Sequence, residues 1–258
     1  MKFIISFSLY ITISMILQVS AASVETIFIE PEKPVVIPQH ESLYSFPHGQ
    51  ITSEPFRISR FEVSIREAIA YMNSRGKKVT FDVGEEVFWD EPYSNVSFGE
   101  AQAICNFYGG RLPNEAEWIL AASIKSAPSK CYESLKYGTF YPYPTGTFPI
   151  NQGGELEACL LKQNDEFDAE SAVSELGDVK SSIENINGTS GMLGSVWEWV
   201  DAERSYFGKQ YKVIKGGSFA NHKQQELYDS RVSNFVPAET KISIIGFRCA
   251  WDAKKVSQ

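Results

Sequence analysis

The sequence predicts an α+β fold with little regular secondary structure, and three observations carry that reading. Capped helical segments cluster in the first half, beginning at Ser64, Ser97 and Asn114. Strand-like patterns stand before them at 55–63 and after them at 211–214 and 242–251. The stretches between are long and rich in glycine, proline and aromatic residues.

The chain opens with Lys2, an apolar run from Phe3 to Leu17 and the small residues Ser20-Ala21. This is the pattern of a cleavable secretory signal over 1–21, too short and too weakly flanked for a membrane anchor. Residues 22–46 carry Pro31, Pro34 and Pro38 and read as an extended lead-in, not a packed element. The folded domain is expected over 47–252, with a tail at 253–258.

Within that domain Phe56, Ile58, Phe61 and Val63 suggest a half-buried strand. Ser64 with Glu67 three residues on is a capping box; Ala68, Ile69 and Met72 form the buried stripe of a helix that Gly76 ends. Ser97 and Glu100 repeat the device, with Ala101, Ile104 and Cys105 facing inward and Gly109-Gly110 as the stop. Asn114 and Glu117 start a third helix, whose stripe is Trp118, Ala121 and Ala122. Regularity then fades through an aromatic, Gly- and Pro-rich segment at 137–149 and an acidic one at 152–182. Loops of that length inside a domain are held by something or do something.

The stretch 185–199, N-I-N-G-T-S-G-M-L-G-S-V-W-E-W, is the centre of the pattern. Gly188, Gly191 and Gly194 at a spacing of three cannot form a long helix, so a compact ribbon is expected, with Trp197 and Trp199 supplying apolar mass. Cys105, Cys131, Cys159 and Cys249 are even in number, contain no C-x-x-C pair and suit two disulfides in an oxidising compartment, with three connectivities open. Cys131 and Cys159 flank the long loop that a bridge would tie down. The formal charge of −8 offers no basic face, which argues against nucleic acid as a partner. No further apolar run is long enough to insert in a membrane after signal cleavage.

Five motifs in register resemble the formylglycine-generating enzyme, or sulfatase-modifying factor, family: F-R-I-S-R-F-E-V-S at 56–64, R-L-P-N-E-A-E-W at 111–118, G-S-V-W-E-W at 194–199, K-G-G-S-F at 215–219 and G-F-R-C-A at 246–250. The resemblance implies a C-type-lectin-like fold, with helices packed near a twisted antiparallel sheet and long loops. It marks Arg111, Glu115, Trp118, Trp197, Glu198, Trp199, Gly216, Gly217 and Arg248 as fold-motif residues. It also implies a Cys105–Cys249 bridge, leaving Cys131–Cys159 as the second pair. Glu115 and Glu117 read as helix-start carboxylates with no facing acid, and Arg248 as a donor to loop carbonyls.

Active members of this family hold copper(I) with two cysteines shortly after the G-G-S. Here Asn221 takes the first position and Glu226 falls at or near the second. Neither side chain replaces a thiolate for that ion, so copper is not expected. The family's calcium site uses an Asp or Asn three residues before the G-N pair and the Glu of W-E-W. Here Gly191 and Ser195 stand at those places, leaving Glu198 and carbonyls such as that of Gly194, which allow calcium but do not demand it. His40 and His48 read as exposed. His222 with Glu226 is a candidate metal or general-base pair in the loop where a true active site would lie. The expectation is an exported, periplasmic or secreted, non-catalytic relative that needs no cofactor and binds a protein partner through its loops. An inhibitor or immunity protein against a secreted toxic enzyme is the specific form. The alternative is a maturation enzyme or metal-dependent oxidoreductase with a non-cysteine site, similar to family members of siderophore maturation.

Overall fold

The computed structural model describes residues 24–31, 34–39, 49–77, 88–129, 132–146, 177–180, 182–221 and 224–253; for Gln225 and Glu226 it describes the backbone alone. The expectations for the signal segment, His40, His48, His222, Cys131, Cys159 and most of the acidic loop lie outside these residues.

The expected α+β class is the one observed. Strands β1 (Thr26–Ile29), β2 (Val35–Ile37), β3 (Gly49–Ile51) and β4 (Phe56–Ser59) precede helices α1 (Ile65–Ser74), α2 (Phe98–Phe107) and α3 (Glu115–Ser123). Then come β5 (Trp197–Tyr206), β6 (Lys209–Lys215), β7 (Asn234–Val236), β8 (Ile245–Gly246) and β9 (Ala250–Asp252), with short 3-10 turns at Phe219–Asn221 and Gln225–Tyr228. Among the described residues these form a β1-β4-β9 sheet, a β2-β3 pair and a β7-β6-β5-β8 sheet. All neighbours are antiparallel except β5 and β8.

All three helices start where their caps predict. Ser64, Ser97 and Asn114 each accept the backbone N–H three residues on, and Glu67, Glu100 and Glu117 each reach back to the cap's own N–H. Two donors that a helix start leaves open are thereby satisfied from within one turn of sequence. Helix α3 departs from the expected stripe: every residue but Ala116 is buried. Its apolar surface packs in one core with Ile29, Phe56, Ile58 and Val200, while α2 shares a second with Trp197, Trp199 and Phe247.

Three other expectations change. The lead-in is packed: Ile29, Val35 and Ile37 are buried, and β1 pairs with β4 in full register from Thr26–Ser59 to Ile29–Phe56. Pro31 follows β1 and Pro34 precedes β2, so the prolines bound strands here and do not prevent them. The ribbon's Trp197 opens a ten-residue strand whose first four residues are all buried, so its sequence shows no alternation to reveal it. The closing segment is two strands in two sheets, because the chain crosses between them at Phe247–Cys249. The Cys105–Cys249 disulfide fastens that crossing to α2, with Cα atoms 5.4 Å apart.

Candidate functional site

Glu198, on β5, is fully buried, and its carboxylate is shared between two donors. The Arg248 guanidinium gives it Nε at 2.7 Å and NH2 at 2.7 Å, and Trp118 gives its indole N–H at 2.8 Å. The remaining Arg248 donors reach the carbonyls of Ser59, Arg60 and Ser190. One side chain from the last strand region thus ties β4, the ribbon and β5 together, as its reading as a carbonyl donor anticipated. A fully desolvated charge is tolerable because each of its polar atoms is answered.

Beside this pair lies Glu62, the acid of the F-R-I-S-R-F-E-V-S motif and no expected site residue. It is 1 % exposed; its carboxyl and the buried Ser195 hydroxyl act on each other, but neither makes a well-formed hydrogen bond. Burial pushes the Glu62 carboxyl up to about 8, with Glu198 adding to the rise and Arg248 opposing it. A lone acid between Phe61 and Val63, in an otherwise apolar alternation, was the signal available. Gly191 makes the arrangement fit: its φ is +75°, and a Cβ there would fall within 2.8 Å of all three Glu62 carboxyl atoms.

An uncompensated carboxylate has two remedies, a proton or a hard cation. Calcium takes about six to eight oxygen ligands, and Glu62 with Ser195 Oγ offers three in one buried place, too few to make a calcium site by themselves. Glu62, not Glu198, is the carboxyl left over here, since Glu198 is engaged by Arg248 and Trp118. Gly194, the other expected calcium residue, has φ +80° and its N–H bonded to Gly216 O at 3.0 Å. Among the described residues, no group of three or more His, Cys, Asp or Glu is placed to hold a metal.

The position expected for a copper-binding sulfur holds Asn221 in a bonded setting. Its Oδ1 accepts from Trp197 Nε1 at 3.0 Å and from Ser218 Oγ at 2.8 Å, and its Nδ2 donates to Gln224 at 3.3 Å. The backbone is drawn tight around it. Ser195, at φ +59°, accepts the Phe219 N–H, and Gly217, at φ +75°, lies against the Tyr228 ring. A side chain at Gly217 would have to displace that ring. Glu226 has its backbone in the following 3-10 turn, and His222 lies outside the described residues.

The remaining motif residues support this frame. Arg111 forms two bonds of 2.7 Å to Glu117 and pairs with Asp252. Glu115 accepts from Arg204 at 2.7 Å and from Ser233. Both helix-start acids therefore have basic partners, Glu117 from six residues before it and Glu115 from β5. Trp199 gives its indole N–H to Val96 O, and a Cβ on Gly216 would meet the Trp118 ring at 3.2 Å. Lys215 is buried, bonded to the carbonyls of Ser230 and Val232 and to Ser233 Oγ, and burial lowers its ammonium to about 8.

The chain is similar to several known proteins. It is 25 % identical over 197 residues to hercynine oxygenase of Mycobacterium tuberculosis, covering 65 % of this chain and 38 % of that protein. It is 28 % identical over 166 residues to inactive C-alpha-formylglycine-generating enzyme 2 of Bos taurus, covering 62 % of this chain and 50 % of that one. The chain thus spans half or less of the length of these curated relatives. Among solved structures, PvdO from Pseudomonas aeruginosa superposes with a TM-score of 0.58 at 17 % identity, over 88 % of this chain and 94 % of that one, which bears on the fold alone. Residues 21–253 match the sulfatase-modifying factor enzyme 1-like domain, and with nearly the whole chain covered the protein belongs to that family.

Proposed function

We propose that this is a non-catalytic member of the family, exported from the cell, that binds a protein partner through the loops around 137–182 and 219–240. Inhibition of, or immunity to, a secreted toxic enzyme is the form of binding that the exported setting favours. The observation that carries the reading is the fate of Asn221. An amide cannot supply the soft thiolate that copper(I) needs, and this one accepts hydrogen bonds from Trp197 and Ser218. Calcium, where bound, would be held by Glu62 and would stabilise the ribbon, without a part in chemistry.

The test has two arms. Purified mature protein, supplied with copper, a reductant and a sulfatase-derived cysteine peptide, should consume no oxygen and leave the peptide unchanged. A pull-down from the envelope or secreted fraction should capture a partner, and replacing loop 219–240 should abolish capture. Turnover of the peptide overturns the first half of the proposal, and capture indifferent to the loops overturns the second. Iron or copper bound one to one and lost on His222→Ala would favour the oxidoreductase alternative.

A further inference from the structure

The β5–β6 hairpin ends in an aromatic knob. Its strands pair as far as Tyr206 and Lys209, so Phe207 and Gly208 alone make the turn, with φ of +48° and +73°. Two left-handed residues suit the twist of a hairpin, but the first of the two places favours asparagine, not a ring. Phe207 holds that strained conformation while 88 % exposed, so the fold gains nothing from the ring that asparagine would not give with less strain. Behind it the Tyr206 ring stands 4.4 Å from that of Phe207, and Phe235 of β7 lies 5.9 Å from Tyr206 and 5.4 Å from Tyr211. Apolar rings left open together in this way mark a contact surface.

The same chain carries a recess that suits the knob. A cavity of about 730 Å³ opens between β1, the turn from β3 to β4, the start of α3 and the end of β9. Phe28, Pro55 and Phe56 give it apolar wall, while Glu54, Glu117 and Asp252 against Arg111 leave its lining acidic. Glu117 and Asp252 are held by Arg111, whereas Glu54 is exposed and no ion pair joins it to another described residue. Lys209, across the turn from Tyr206, is exposed and likewise without an ion pair among the described residues. A basic tip and an acidic recess complement each other. Both flank one turn of helix: Arg204 of the hairpin bonds Glu115, and Asn114 and Glu117 of that turn line the recess.

We infer that two copies of this chain exchange knobs, Phe207 and Tyr206 of each entering the recess of the other beside Phe28, with Lys209 facing the other copy's Glu54. Because knob and recess flank the same helix start, a two-fold axis lets both contacts form at once, and the pair closes instead of growing into a filament. The exposed parts of Tyr206 and Phe207 come to about 250 Å² a copy. One insertion is too small for a stable interface, whereas two, counted with the walls they cover, reach about 1,000 Å², the least that a specific interface needs. A lipid surface would take up the rings but leave the acidic recess unused.

Sedimentation equilibrium of the whole mature chain from about 1 to 200 μM, a range that resolves micromolar dissociation, tests the inference. A monomer–dimer equilibrium is expected. Phe207→Asn should raise the Kd of the dimer by about tenfold or more, as loss of a central aromatic does, without lowering Tm, because Asn-Gly suits the turn. Lys209→Glu and Glu54→Lys, both exposed changes, should each weaken the dimer. Their combination should restore it, since the charges are then exchanged and still opposite. The inference fails if the chain stays monomeric throughout, or if its mass rises past that of a dimer. It also fails if the dimer is indifferent to Phe207→Asn, or if the charge exchange is no tighter than the single changes.

Discussion

The Glu62 carboxylate occupies the space that a side chain at Gly191 would need. The two residues lie 129 positions apart, and each explains the other: the glycine lets the acid in, and the acid forbids anything but glycine. Gly191→Ala adds both an overlap and a strained left-handed backbone. It should lower stability by about 2–4 kcal/mol in urea unfolding. Adding Glu62→Ala should recover the overlap share, and a single change that costs under about 0.5 kcal/mol would mean that the space is not contested.

Two buried groups set opposite pH slopes. Glu62 is raised from its ordinary 4.5 to about 8, so between those values the folded state holds a proton that the unfolded chain has released. Its contribution is full below about 4.5 and is lost as pH rises through 8. Lys215 is lowered from 10.5 to about 8, so between 8 and 10.5 the unfolded chain binds the extra proton and stability rises with pH. Together they place a local minimum of stability near pH 8, visible in a thermal-melt series. Glu62→Gln should remove the falling limb and leave the rising one.

Calcium, if held by Glu62 as proposed, would act on the falling limb. A divalent ion at Glu62 favours the carboxylate, so its stabilisation should be larger at pH 8.5 than at pH 6, the reverse of the proton's. Millimolar calcium should raise Tm at the higher pH in the wild type and do nothing in Glu62→Gln. Equal shifts in both proteins would move the ion elsewhere.

The ion pair of Arg248 and Glu198 is worth testing as a pair. Arg248→Met strands a buried carboxylate and three loop carbonyls, at a cost of about 3–5 kcal/mol. Arg248→Met with Glu198→Gln removes the stranded charge, so the double variant should be more stable than the sum of single losses implies. Chemical denaturation of the four proteins gives the coupling, and strict additivity would deny it.

What could be read in the sequence was what is decided locally. Ser64, Ser97 and Asn114 cap helices through residues three positions away, so the pattern carries its own proof. The Cys105–Cys249 bridge spans 144 residues, and only the family resemblance selected it among three connectivities. Strands β1 and β2 escaped because prolines sit beside them, although Ile29 and Ile37 are core. The start of β5 is buried on both faces, so period-two alternation could not appear. The site was partly visible: Asn221 was named from its place after G-G-S, but its Trp197 and Ser218 partners are matters of folding. Lys215, a fully buried ammonium, and Glu62, a buried carboxyl with unanswered oxygens, look in sequence like any surface lysine and acid. Their importance lies in what surrounds them, and those surroundings come from strands and loops far along the chain.

The Asn221 hydrogen bonds give the last prediction. Asn221→Ala leaves the Trp197 indole N–H and the Ser218 hydroxyl without their shared acceptor, in a half-buried place. The loss should be about 1–2 kcal/mol. Asn221→Asp keeps the acceptor and gives up the bond to Gln224, which is longer and exposed, so it should stay within about 0.5 kcal/mol of wild type. If Asn221 serves as a fixed brace in place of a metal ligand, the Ala variant should also change Trp197 fluorescence and weaken partner capture, while the Asp variant does neither. Should both variants behave alike, the acceptor is idle, and the loop after Ser218 is held by Tyr228 and the backbone alone.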